Sequence, residues 1–183
     1  MIYFFYGENS FEQRRAIQSL VASFSGTAEW IDGEELTLGQ LPDILGGGTL
    51  FAEKRLIIVR SLSLNKSVWE ALGEWVDRVS DDTTLVISEV KPDKRTKTYK
   101  SLQKAATTQE FSLWKEYDTR SALQWLLEEV KTRQMTMSRE VAQRLVEKIG
   151  VDQWRLHQAL EMLSPLDNIT LDVVEQSIPR QTS

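Results

Sequence analysis

The sequence contains no cysteine and a single histidine, His157, in 183 residues. The missing thiols exclude disulfide scaffolds, thiolate zinc sites, iron–sulfur clusters and cysteine nucleophiles, and they suit a reducing cytoplasm. One histidine rules out multi-histidine metal centres and leaves a serine triad a single candidate base. Long apolar runs are absent too. The opening run Ile2-Tyr3-Phe4-Phe5-Tyr6 has no basic residue before it and stops at Gly7-Glu8, too short for a signal segment or a membrane span. Positive charge is in deficit: 22 Lys and Arg stand against 27 Asp and Glu, a net −5. A general duplex-DNA binder usually presents a net basic face that displaces counterions. What is left is a soluble, cytoplasmic chain. Its 41% apolar residues are enough to build a core, in one large domain or a medium domain with a small one.

Short β-type runs alternate with helical patterns over the first two-thirds. Residues 2–6, 30–32, 56–59, 83–88 and 110–112 read as five strands. The third is the most β-branched, as a central parallel strand covered on both faces should be. Between the strands, apolar residues recur at helical spacing: Ile17, Leu20, Val21 and Phe24, a helix around 38–45, then Val68, Leu72, Trp75, Val76 and Val79, then Tyr99, Leu102 and Ala106. Strands separated by helices predict right-handed crossovers, hence an α/β fold with a five-stranded parallel sheet and helices on both faces. From Asp118 onward only helical stripes remain: Leu123, Leu126, Leu127 and Val130; Ala142, Leu145, Val146 and Ile149; Leu156, Ala159, Leu160 and Leu163. Ser138, Asp152 and Thr170 suit helix N-caps, Gly150 a C′ position, and Pro165 and Pro179 helix stops. The division expected is an α/β domain over residues 1–116 and a small all-helical domain over 117–183.

In such a sheet the turn after the first strand is where phosphates bind, because helix-terminal N–H groups point there. Its sequence, Tyr6-Gly7-Glu8-Asn9-Ser10-Phe11, has one glycine, no lysine and an acidic side chain. A Walker A loop needs two glycines around four residues, then Lys and Ser or Thr. A Walker B acid is missing as well: Leu85-Val86-Ile87 carries no carboxylate before Glu89, which reads as loop. These residues predict a nucleotide-binding shape with an empty site and no cofactor. His157 reads as a surface or partly packed ring. The pairs Glu34-Glu35, Asp81-Asp82 and Glu128-Glu129 read as solvated, and Trp30, Trp75 and Trp125 as core, with Trp69 and Trp114 open.

Two features rise above that background. Gly46, Gly47 and Gly48 form a hinge ahead of Leu50 and Phe51, which arrive before the third strand rather than inside it. The pair either closes the core beside a flexible turn, the reading that pattern alone favours, or projects as an apolar plug for a partner's pocket. The second feature is a basic stretch. Lys97, Lys100 and Lys104 share a helix face opposite Tyr99 and Leu102, with Lys94 and Arg95 just ahead. An ordinary solvated face is the simpler account; contact with nucleic acid or an acidic partner is the alternative.

Several blocks together resemble the delta subunit of the bacterial DNA polymerase III clamp loader. They are Tyr3-Phe4-Phe5-Tyr6-Gly7-Glu8, Leu50-Phe51-Ala52-Glu53-Lys54-Arg55-Leu56, and Asp93-Lys94-Arg95-Thr96-Lys97 with Tyr99-Lys100. Gly150-Val151-Asp152, Leu160-Glu161-Met162-Leu163 and Ile169-Thr170 continue the match in the helical part. The resemblance implies an AAA+-like (RecA-type) module with a degenerate nucleotide site, not itself an enzyme. It implies a subunit that binds the sliding clamp, the beta subunit, and holds one ring interface open. It also implies that Leu50 and Phe51 are the pair inserted into a clamp pocket, in preference to the core reading. Lys94 and Arg95 match the family pattern without an assigned chemistry. Family members continue into a helical collar domain that residues 1–183 do not include. Contacts with other loader subunits are therefore expected of the full-length protein, DNA contact is expected to be weak or indirect, and no membrane partner is expected. The competing expectations are an ATP-binding enzyme with an unusual phosphate loop, or a nucleic-acid module using Lys91 to Lys104.

Overall fold

Five strands, β1 (Ile2–Tyr6), β2 (Ala28–Asp32), β3 (Arg55–Arg60), β4 (Thr83–Glu89) and β5 (Thr107–Glu110), join in the order β2-β3-β4-β1-β5. Every ladder is parallel. The computed structural model describes residues 1–46 and 54–178. The sheet belongs to the first of two units, Met1–Leu113 and Trp114–Ser183.

Successive side chains on a strand point to opposite faces, so each strand feeds two cores. Phe4 and Tyr6 of β1, Ile57 and Val59 of β3, and Leu85 and Ile87 of β4 enter one. Phe5, Leu56, Ile58 and Val86 enter the other, which α1 (Ser10–Ser23) covers through Ile17. Three helices line the first: α2 (Leu41–Leu45), α3 (Lys66–Trp75) and α4 (Lys97–Ala105). Helices α3 and α4 pack closely at Gly73, where a Cβ would stand 2.4 Å from Thr98 Oγ1 and 2.8 Å from its Cα. The Thr98 hydroxyl donates to the Trp69 carbonyl at 2.7 Å across the same contact.

The second unit holds α5 (Thr119–Thr132), α6 (Arg139–Ile149), α7 (Gln153–Leu163) and α8 (Leu171–Ser177). Ser138, Asp152 and Thr170 cap the last three, accepting from the N–H groups of Val141, Arg155 and Val173. Among the described residues no helix is long and apolar enough to cross a membrane.

Several sequence readings need correction. Strand β5 covers 107–110 rather than 110–112, because it pairs with residues 3–6 of β1 and ends before Phe111 turns into the α1 core. Strand β4 runs through Glu89, which therefore belongs to the strand and not to the loop. Trp30 is not core: it lies on edge strand β2, 51% exposed, with the Arg60 guanidinium 5.8 Å from its ring centroid. Helix α5 turns Ala122, Trp125, Leu126 and Val130 inward, leaving Leu123 and Leu127 half-buried. Glu129 is buried beside Arg133 rather than solvated. Trp69 is buried and Trp114 half-buried, with its ring centroid 6.1 Å from that of Trp125.

Candidate functional site

The turn between β1 and α1 sits at the β4/β1 boundary, the place where open α/β sheets bind phosphates. Gly7 takes φ +132°, and a Cβ there would lie 2.1 Å from the Phe111 carbonyl oxygen. Only glycine adopts this backbone against so close a neighbour. The Gly7 N–H donates to Glu89 O at 3.1 Å, Asn9 N–H to Phe111 O at 3.0 Å, and Ser10 N–H to Glu8 O at 3.0 Å. Asn9 caps α1 by accepting from Glu12 N–H at 3.1 Å. Beneath the turn, buried Gln13 donates from Nε2 to Glu89 O at 3.0 Å and accepts from Ser88 Oγ at 2.7 Å. Lys91 meets Glu8 at 2.8 Å. A phosphate cradle presents unpaired amides to its anion; here the amides of Gly7, Asn9 and Ser10 already have acceptors.

Glu89 ends β4 opposite Tyr6 and is 2% exposed. Burial pushes its carboxyl above the usual carboxylate value, opposed by hydrogen bonds from Ser63. Ser63 N–H donates at 3.1 Å and Ser63 Oγ at 2.5 Å. The acid is thus held by the 3₁₀ turn Leu62–Leu64 and not by the turn after β1.

Four cations of the basic stretch, Lys91, Lys94, Arg95 and Lys97, are paired with carboxylates. Lys94 contacts Glu110 at 3.0 and 3.1 Å and lies 5.2 Å from the Tyr6 ring centroid. Arg95 donates to Asp93 at 3.0 and 2.8 Å, and Lys97 faces Glu74 at 3.5 Å. The Arg95 guanidinium holds the Asp93 carboxyl down at about 2. Behind Lys94, Tyr99 OH donates to Tyr6 OH at 2.8 Å, and Tyr6 OH donates to Glu110 at 3.1 Å. Burial and these bonds push the Tyr6 hydroxyl up. Lys100 and Lys104 are exposed on α4. A neighbouring cavity of about 610 Å³, with Lys66, Lys91 and Lys97 against Glu70, Glu74 and Asp93, mixes both signs and selects neither.

Leu50, Phe51, Gly47 and Gly48 lie outside the described residues. Gly46 ends α2 with its N–H on Pro42 O at 2.7 Å, in extended backbone at φ −68°, ψ 151°. Arg55 opens β3, and its Nη1 donates to Asp43 O at 2.8 Å and to Gly46 O at 3.3 Å. The rest of its guanidinium forms a fork on Glu29 of β2, at 2.9 and 3.0 Å. This pairing holds the Glu29 carboxyl below the ordinary carboxylate range. One side chain thereby joins the end of α2, the start of β3 and the neighbouring strand. Residue pattern alone does not reveal this role, because two of the three partners are backbone carbonyls.

The DNA polymerase III delta subunit family model matches residues 3–112. No curated protein matches the chain in sequence. Among solved structures, the Bacillus subtilis DNA clamp loader delta protein YqeN superposes with a TM-score of 0.68 at 21% identity, over 98% of this chain. The chain spans 58% of that protein's length. Thermotoga maritima RuvB, a Holliday junction branch migration motor, superposes at 0.56 with 9% identity, over 95% of this chain and 59% of RuvB. Domain III of the T. maritima replication initiation protein DnaA gives 0.54 at 14% identity, over 96% of this chain and 82% of that domain. These likenesses place the fold in the AAA+-like, RecA-type class. Since the matched stretch covers more than half of the chain, and takes in both the closed β1–α1 turn and the Arg55 tie, the chain belongs to the DNA polymerase III delta subunit family.

Proposed function

We propose that this chain is the clamp-binding part of a clamp-loader delta subunit and that it acts mechanically, without turning over ATP. In this reading Leu50 and Phe51, carried on the hinge Gly46, Gly47 and Gly48, enter a pocket on the sliding clamp and hold one ring interface open. The observation that carries the reading is the family match across residues 3–112, which includes both side chains. The occupied amides of the β1–α1 turn and the fixed flanks of the segment support it. Other loader subunits would be partners of the full-length protein, with DNA contacted weakly or indirectly.

Removing a leucine and a phenylalanine from water contributes about 3–5 kcal/mol before ordering costs are subtracted. That supports a specific anchor helped by surrounding surface. Insertion favours the opened ring only if the protein binds that form more tightly than the closed one. The test is the affinity of the chain for the sliding clamp of the same organism, with and without Leu50→Ala/Phe51→Ala. At least a tenfold loss is expected, about 1.4 kcal/mol. Unchanged affinity in a folded double variant would overturn the assignment.

A further inference from the structure

A groove of about 370 Å³ runs along α5 in the second unit, lined by Arg120, Gln124, Leu127, Glu128 and Lys131 together with Arg139 of α6. The α5 positions fall on one helical stripe, and Arg120 and Lys131 are about 16 Å apart along the axis. The three described cations of this unit that are not exposed have acids: Arg133 has Glu129 and Glu161, and Arg144 and Lys148 share Glu175. Arg120, Lys131 and Arg139 are exposed and have no acidic partner among the described residues. The groove's single carboxylate, Glu128, accepts from Gln124 Nε2 at 3.3 Å.

Helix stability does not account for two of these charges. Arg120 lies in the first turn of α5 and Arg139 is the first residue of α6, and a cation at a helix N-terminus opposes the macrodipole. The side chain of Asp118 makes no cap bond to α5; its Oδ2 accepts from Lys115 N–H at 2.7 Å instead.

We propose that this groove binds the phosphate backbone of nucleic acid. Two of the three cations are arginines, whose planar fork matches phosphate oxygens. A protein partner would take most of its energy from buried apolar anchors, and the lining offers one aliphatic side chain, half-buried Leu127, and no aromatic. Without an aromatic there is no platform for stacking bases, so the contact is with the backbone and is blind to sequence. The stripe spans about five nucleotide steps of one strand. All the residues that line the groove belong to the second unit.

The test is fluorescence anisotropy of a labelled duplex of about 20 base pairs, titrated with the 183-residue chain between about 50 and 200 mM salt. Three phosphate contacts give a slope of log K against log salt of about −2.7. In Arg120→Gln/Lys131→Gln/Arg139→Gln the slope is expected to collapse toward zero, with at least tenfold weaker binding at the low-salt end. Lys97→Gln/Lys100→Gln/Lys104→Gln is the matched control and is expected to keep the wild-type slope. Should the triple variant fail to fold by circular dichroism, exposed Arg139→Gln alone is expected to shift the slope by about 0.9. No binding at low salt, an unchanged slope in the groove variants, or an equal loss in the control overturns the proposal. Displacement of the duplex by polyglutamate at equal charge concentration does so too, and makes an acidic protein the occupant.

Discussion

Glu89 shows what one residue's surroundings do to its chemistry. It ends a strand, is almost fully buried, and has Ser63 as its hydrogen-bonding partner. Because burial raises its folded-state value above the ordinary 4.5, the native protein releases that proton at a higher pH than the unfolded chain does. Its contribution to stability is fully present below the unfolded value and is lost as pH rises through the folded one. Glu29, Glu110 and Glu175, each held low by a cation, work the other way and lose their contributions as pH falls. The two groups therefore act on opposite sides of 4.5. Glu89→Gln keeps an acceptor for Ser63 and removes the charge. We expect its urea midpoint to change less than that of the wild type as pH rises above 4.5. A variant that keeps the full wild-type slope would remove Glu89 as the cause.

At the scale of elements, α3 and α4 are joined by a polar seam rather than by apolar contact alone. Thr96 Oγ1 caps α4 by accepting from Tyr99 N–H at 3.2 Å, accepts from the Trp69 indole at 3.3 Å, and donates to Asp93 O at 2.8 Å. Thr96→Ala removes the cap and leaves a buried indole N–H without its acceptor, so a loss of about 2–3 kcal/mol is expected in chemical denaturation. A loss below 0.5 kcal/mol would mean that water replaces the hydroxyl at that seam. Elements of this kind were legible where burial dictates composition. Strands β1, β3 and β4 announce themselves as continuous apolar runs because helices cover both faces. Strand β5, Thr-Thr-Gln-Glu, has no apolar residue, and only its pairing with β1 defines it. Trp30 misled for the complementary reason: an edge strand leaves even a large ring half outside. The acids that pair with Lys91, Lys97 and Lys94 of the basic stretch, Glu8, Glu74 and Glu110, are distant in sequence and are visible only in the fold.

Across the whole molecule, the sheet has the shape of a nucleotide-binding domain while its phosphate turn is spent on its own backbone. Isothermal titration with ATP and Mg²⁺ is expected to show no saturable binding; tight, Mg²⁺-dependent binding would refute the occupied-turn account. The sequence shows the missing lysine and second glycine, whereas the acceptors that take the amides come from β4, the exit of β5 and the turn itself. Leu50 and Phe51 were named from family resemblance, because residue pattern alone favoured the core. The α5 groove was not legible at all, since Arg120, Lys131 and Arg139 come from two helices and lack of a partner is a property of three-dimensional structure. Arg55 bears on the same question from the side of chain statistics. Its guanidinium fixes where the segment 47–53 leaves α2 and where it enters β3. The entropy of bringing those two ends together is therefore settled when the domain folds. That part of the cost is met within the domain, by an arginine that need never touch a partner.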